Sequence, residues 1–197
     1  MKIRITPGAI LLALVLLFHR DELLPATLLA AAVHECGHLL AARLLGIRLR
    51  LLELDLMGAR LYPAAHLPSY RAEMLLAAAG PAASLLLLLI PPLSPFWAAA
   101  RTASLSLALF NLLPIRDFDG GRVLHALLAA GLGRNADSVL AVTSYLSLLF
   151  LFSIAACLLL RYGEDAALAV LSATLFAKLF LSLEGRKPPH RAQMQKK

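Results

Sequence analysis

The chain has 197 residues, of which 60% are hydrophobic and 16% are charged, and its mean hydropathy is +0.76. Soluble domains carry about 45–50% apolar and about 25% charged residues, so this composition excludes an ordinary soluble domain and indicates a membrane protein. The length suits one compact helical domain. The net charge of +7 does not require nucleic acid as a partner, because basic segments also bind anionic lipid.

The first apolar run predicts a membrane span over about residues 5–18. The polar residues HRDE follow it instead of a small-residue cleavage site, which favours a retained helix over a signal peptide. A second span is predicted over 25–46. From Ile47 to Pro63, apolar and polar residues partly alternate and Gly58 marks a turn, so this segment predicts a short β-hairpin.

Four more spans follow the hairpin, at about 70–90, 96–113, 136–160 and 165–183. The fourth breaks at Pro114, within NLLPIRDFDGG, and helical sequence then resumes. Non-helical backbone at membrane depth is tolerated only where protein or a wet cavity covers it, so the break predicts a functional site. The predicted fold is therefore an all-α polytopic membrane protein with six spans and one membrane-associated hairpin.

The basic residues predict the orientation of the chain. With six spans both termini lie on one side, and fifteen of the nineteen lysines and arginines fall on that side, against three on the other. The positive-inside rule then makes both termini cytoplasmic. Residues 1–184 form the predicted membrane domain, and 185–197 form a basic cytoplasmic tail.

Ionisable residues interrupt the second predicted span. His34 and His38 lie four positions apart, hence on one face of a helix, and Glu35 stands beside them. Such residues are costly within a bilayer and are usually functional there. The H-E-x-x-H arrangement predicts two imidazole ligands for one zinc ion, with Glu35 as general base.

A catalytic zinc usually takes a third protein ligand and keeps one position open. Asp117 and Asp119 are the favoured candidates, because they follow the break at Pro114, where Gly120-Gly121 permits a tight backbone. His66 and His125 are weighed as alternatives and are more typical of interface or packing residues. Cys36 and Cys157 lie in apolar segments and predict two buried thiols rather than a disulfide.

These motifs resemble the site-2 protease family of intramembrane zinc metalloproteases (peptidase M50). The resemblance rests on HECGH, on N-x-x-P-x-x-x-x-D-G, on AAAGPAASLLL in the third span and on the six-span layout. It looks closest to the bacterial sporulation branch that processes a sigma-factor precursor, but without that enzyme's CBS domain or the PDZ domain of other branches. It implies that His34, His38 and Asp119 bind zinc and that Glu35 is catalytic.

The resemblance also implies roles around the metal. Asn111 and Pro114 match the motif frame near the substrate, where Asn111 would help to stabilise the oxyanion, and the Ile47–Pro63 segment would pair with unwound substrate. Two positions depart from the family. Asp117 replaces a common proline, which predicts a carboxylate that supports the site from outside the ligand set. Ser84 stands where many relatives carry asparagine.

The predicted function is a zinc-dependent intramembrane endopeptidase with Zn²⁺ as cofactor. Its expected partners are a single-span or membrane-associated protein substrate, the lipid bilayer and, for regulation, another membrane protein. No nucleic acid is expected. The predicted location is a prokaryotic plasma membrane. The alternatives are a metal-binding membrane transporter and a pseudoprotease that binds clients without cleaving them.

Overall fold

A computed structural model describes residues 2–7, 10, 24–55, 58–64 and 69–162. The chain divides into two compact units, residues 1–140 and residues 141–197. Among its described residues, the first unit contains a small sheet and four helices. The second is described over residues 141–162, which are part of one long helix.

The first unit contains a three-stranded sheet. Strands β1 (Lys2–Ile5), β2 (Leu49–Asp55) and β3 (Gly58–Pro63) lie in that order. β1 runs parallel to β2, and β2 pairs antiparallel with β3 as a hairpin, with an irregularity between Leu49 and Leu51. The hairpin predicted between the second and third spans is therefore present, and β1 extends it.

β1 corrects one prediction from the sequence. Residue 5 was expected to begin the first span, whereas Lys2–Ile5 is a strand in which basic and apolar side chains alternate. Strand pairing explains the difference, because the register sets Arg4 opposite Glu53 and their side chains lie 3.9 Å apart. The rest of that predicted span, apart from residues 5–7 and 10, lies outside the described residues.

Helix α1 (Leu24–Leu44) carries a buried stripe that recurs every four residues, made of Ala26, Ala30, His34, His38 and Ala42. Positions four apart share one face of a helix. The three alanines let a neighbouring backbone approach closely, as small residues do in membrane helix packing. The two histidines therefore point into the protein rather than toward lipid.

Helices α2 (Tyr70–Leu87) and α3 (Pro95–Asn111) both begin at serine caps. Ser69 Oγ accepts a hydrogen bond from the backbone N–H of Ala72 at 3.1 Å, and Ser94 Oγ accepts one from Trp97 at 3.5 Å. Such caps satisfy backbone donors that a helix start leaves unpaired. α2 packs against α1, α3 and the helix that follows the break, so it lies centrally in this unit.

The predicted break lies between α3 and helix α4 (Asp119–Leu132). Ile115 and Phe118 are buried within it. A Cβ at Gly120 would collide with the carbonyl oxygen of Leu112, and one at Gly121 with that of Ile115. Glycine is therefore required here because the backbone of the break packs directly on the start of α4.

After α4, a 3₁₀ turn (Gly133–Asn135) leads into helix α5 (Ala136–Tyr162). Within the described part of the chain, two segments are long and apolar enough to cross a membrane, Leu24–Leu44 and Ala136–Cys157. The predicted spans at 25–46, 70–90, 96–113 and 136–160 all coincide with helices to within a few residues. The sixth, at 165–183, lies outside the described residues.

Candidate metal centre

Three buried side chains from two helices converge on one point. His34 Nε2 and His38 Nε2, both from α1, lie 3.3 Å apart. Oδ2 of Asp119, the first residue of α4, lies 3.2 Å from His34 Nε2 and 3.1 Å from His38 Nε2. These three residues form a group that could hold a metal ion.

The outer nitrogen of each imidazole ring is already engaged. His34 Nδ1 lies 3.0 Å from Ser84 Oγ, and His38 Nδ1 lies 2.8 Å from the carbonyl oxygen of Leu76. Both partners belong to α2. Metal-binding histidines usually use their second nitrogen in this way, because the contact fixes the ring orientation. The Nε2 atoms are therefore left directed at Asp119.

The spacing of the three atoms suits a small tetrahedral ion. Ligand bonds of about 2.0–2.1 Å in a tetrahedron separate the ligands by about 3.3 Å. The separations of 3.1, 3.2 and 3.3 Å lie close to that value. Two imidazoles and one carboxylate are also a ligand set that catalytic zinc sites use. The donor set therefore fits zinc without rearrangement.

Gly80 provides the space beside the histidine pair. A Cβ at this position of α2 would collide with His38 Nε2 and would lie 2.8 Å from His34 Nε2. Any larger residue would occupy the volume that the two ring nitrogens face. Pro81 follows, buried inside α2, and cannot donate the backbone hydrogen bond of a regular helix.

Asp119 is held by its position and by a basic neighbour. It is 7% exposed and lies in the first turn of α4, where the helix dipole favours a negative charge. Arg122 Nη1 lies 3.6 Å from Oδ1, the oxygen that does not face the histidines. The carboxylate therefore presents Oδ2 to the two histidines and Oδ1 to Arg122.

Glu35 is partly buried on α1, directly after His34. With about 3.6 residues per turn, its side chain leaves the helix about 60° from that of His38. Helix phase therefore places Glu35 beside the face that carries the two histidines rather than on it. That position differs from those of the three converging side chains and suits a group that acts on a neighbouring water.

The remaining predicted residues lie around the break. Asn111 ends α3, and its Nδ2 donates to the carbonyl oxygen of Leu107 at 3.0 Å. Pro114 is partly buried in the break, and Asp117 is exposed. Asp117 is not part of the converging group, although it has contacts of its own. The structure thus separates the two aspartates by burial.

The other candidate ligands lie away from this group or outside the described residues. His125 Nε2 is 3.8 Å from Asp137 Oδ1, which also accepts a hydrogen bond from Arg116 at 2.8 Å. His66 lies outside the described residues. Cys36 and Cys157 are exposed, so the expectation of two buried thiols was wrong. For Cys36 the reason is helix phase, because it is about 200° from His34 around α1.

Sequence reasoning assigned no role to two residues that touch the ligands. Ser84 was noted only as a departure from the family, although its spacing of four from Gly80 places both on one face of α2. Arg122 lies three residues after Asp119, a spacing at which side chains on a helix meet. Helical periodicity would have indicated the contact of Arg122 with Asp119, whereas the contact of Ser84 with His34 depends on how α2 packs against α1.

Comparison with known proteins gives a match to a family model and matches of fold to solved structures. The model for "Peptidase family M50" matches residues 90–154, which include Asn111, Pro114 and Asp119 but not His34 and His38. The solved structure of the site-2 protease from Methanocaldococcus jannaschii is similar with a TM-score of 0.61. The two chains are 21% identical, and the alignment covers 95% of this chain and 92% of that one. No curated protein matches the chain.

The two matches are complementary, because the family model covers the carboxylate side of the metal group and the fold match covers nearly the whole chain. The resemblance to the site-2 proteases of peptidase family M50, which the two motifs indicated, is therefore confirmed.

Proposed function

We propose that this protein is a zinc-dependent intramembrane endopeptidase that cleaves transmembrane or membrane-associated proteins. The observation that carries the proposal is the convergence of His34 Nε2, His38 Nε2 and Asp119 Oδ2, with Glu35 beside them on α1. Three protein ligands and a neighbouring carboxylate are the parts that a zinc hydrolase requires. The family match and the fold support the same reaction class.

His34, His38 and Asp119 would hold the zinc ion. When bound, zinc supplies a Lewis acid that polarises a carbonyl group and makes water nucleophilic near neutral pH. Glu35 accepts a proton as water attacks the peptide carbon, and later returns that proton to the leaving amine. One carboxylate thus serves first as base and then as acid.

Asn111, Pro114 and Asp117 are proposed to act around the reacting peptide. Asn111 Nδ2 donates to Leu107 O in the structure, so stabilising an oxyanion requires the side chain to leave that bond. Asp117 would tune the water pathway from its exposed position. Neither role needs direct contact with the metal.

A helical substrate must expose its backbone before cleavage, and the sheet could replace its hydrogen bonds. β2 is paired on both sides, by β1 and by β3. Within the Ile47–Pro63 segment, the strand at the edge of the sheet is therefore β3. Strand addition at such an edge would hold a substrate segment extended.

The proposed setting is a prokaryotic plasma membrane crossed several times, with both termini in the cytoplasm. The two apolar helices Leu24–Leu44 and Ala136–Cys157 support membrane insertion, and the distribution of basic residues supports the orientation. Kinship with the sporulation branch belongs to the same proposal, as does a regulatory membrane protein as partner.

Co-expression with candidate single-span proteins tests the proposal, comparing wild type with Glu35→Gln. The variant keeps all three ligands, so it should retain its zinc while cleavage is abolished and uncut substrate accumulates in mass spectrometry. Cleavage by Glu35→Gln at the wild-type rate would refute the role of Glu35. A protein that moves metal across vesicles and cuts nothing would be the transporter instead.

A further inference from the structure

Ser84 is a buried polar residue to which the proposed chemistry gives no role. It lies on α2, is 0% exposed, and its Oγ is 3.0 Å from His34 Nδ1. A hydroxyl buried between helices costs free energy unless it is hydrogen-bonded. The contact with His34 therefore explains how a serine is tolerated at this position.

The two histidine rings are held by groups of different kinds. His38 Nδ1 faces the carbonyl oxygen of Leu76, which can only accept, so in the neutral ring Nδ1 carries the proton and Nε2 has the lone pair. His34 Nδ1 faces the hydroxyl of Ser84, which can donate or accept. The tautomer of His38 is thus set by the backbone, and that of His34 depends on a side chain.

We propose that Ser84 is a positioning residue that holds His34 in the tautomer able to bind the metal. In that state Nδ1–H donates to Ser84 Oγ, and the unprotonated Nε2 faces Asp119 and the ion. Without the ion, Nε2–H can donate to Asp119 Oδ2, 3.2 Å away. The same hydroxyl then rotates and donates to Nδ1, so it serves both states. The inference rests on the proposed function, since it requires His34 to be a zinc ligand.

α3 offers a matched control. Ser104 is also 0% exposed, and its Oγ has no hydrogen-bond partner among the described residues. Removing this hydroxyl leaves no histidine nitrogen unpaired. Ser84→Ala and Ser104→Ala therefore make the same chemical change in two buried positions, and they differ in the contact to His34.

The experiment measures zinc affinity of the full chain in detergent by competition with a chelator. Loss of a group that orients a ligating histidine typically costs about 10–100-fold in metal affinity. We expect that loss for Ser84→Ala and wild-type affinity for Ser104→Ala. Visible absorption of the cobalt-loaded proteins should change in Ser84→Ala and not in Ser104→Ala, because the bands report ligand geometry.

A second pair of variants separates the hydroxyl from side-chain size. Thr and Val have nearly equal volumes, and only Thr carries a hydroxyl. Ser84→Thr should bind zinc more tightly than Ser84→Val, and this pair decides the matter even if Ser84→Ala does not fold. Equal affinity in the pair would overturn the inference, as would wild-type affinity in Ser84→Ala or an equal loss in Ser104→Ala.

The inference and the proposed function fail in different ways. A wild-type protein that binds no zinc would overturn both. A wild-type protein that binds zinc, with Ser84 variants that bind it equally well, would overturn the inference alone.

Discussion

The two sides of the candidate metal centre are built by different means. His34 and His38 lie one turn apart on α1, so the pitch of a single helix sets their spacing. Asp119 comes from α4 and meets them only because the chain breaks over residues 112–118. The histidine side depends on local structure, whereas the carboxylate side depends on how distant segments pack.

This difference indicates where the site is sensitive. A ligand pair within one helix keeps its spacing through small changes of packing, although its rings still need the partners on α2. A ligand supplied by another element is correct only if the break keeps its shape. The close packing of Gly120 and Gly121 on that break therefore helps to place Asp119 in the candidate metal site.

The largest expected effect is on the carboxylate side. Asp119→Asn replaces a charged ligand with a neutral amide, so zinc content and cleavage should both be lost. Asp117→Asn is the matched control, because Asp117 is exposed and not in the converging group. It should keep zinc and lose only part of its activity. Elemental analysis and a cleavage assay measure both.

The reverse result, with metal lost from Asp117→Asn and kept in Asp119→Asn, would exchange the two assignments. Equal loss in both variants would mean that the two carboxylates share the ion. In either outcome a residue of the break, Asp117, would itself be a ligand, so the carboxylate side would no longer depend on α4 alone.

Gly80→Ala tests the space beside the histidine pair. Overpacking costs about 1–3 kcal/mol, and here the added Cβ meets His38 Nε2. Zinc affinity should therefore fall by about 10–100-fold, since 1.4 kcal/mol is a factor of about ten. In the control, Gly131→Ala on α4, a Cβ meets nothing within 4 Å, so affinity should not change. Equal zinc affinities in Gly80→Ala and Gly131→Ala would show that α2 can shift enough to accommodate the added Cβ at Gly80.

Arg122→Gln should have the smallest effect on the carboxylate side. Its guanidinium lies 3.6 Å from Asp119 Oδ1 and is partly exposed, and such pairs contribute about 1 kcal/mol or less. Zinc affinity should fall by about fivefold at most, and Arg122→Lys should recover part of it. Arg101→Gln is the control, because the Arg101 guanidinium donates a hydrogen bond to the carbonyl oxygen of Ile90 and does not contact Asp119. A complete loss of zinc would make Arg122 a main determinant of the site.

The sequence predicted the helices well because their signals are local. Apolar runs and the break at Pro114 appear within short windows, and four predicted spans match helices. β1 was missed because Lys2–Ile5 becomes a strand only by pairing with β2, nearly fifty residues away. Short segments whose structure depends on distant pairing carry little signal of their own.

The same distinction holds for the candidate site. The i, i+4 histidines and the adjacent glutamate are visible in five letters, HECGH. Residue geometry alone left Asp117 and Asp119 open, and the resemblance chose between them. The contact of Ser84 with His34 spans fifty positions, so it depends on how α2 packs against α1 and could not be read from spacing.

The most direct test of the account is the metal itself. Wild-type protein purified without chelator should contain about one zinc per chain, and X-ray absorption should find two imidazoles and a carboxylate, without a sulfur shell at about 2.3 Å. That result would show that the histidines of α1 and the aspartate of α4 bind the same ion. A protein with no zinc above background, or zinc bound by the sulfur of Cys36, would contradict it.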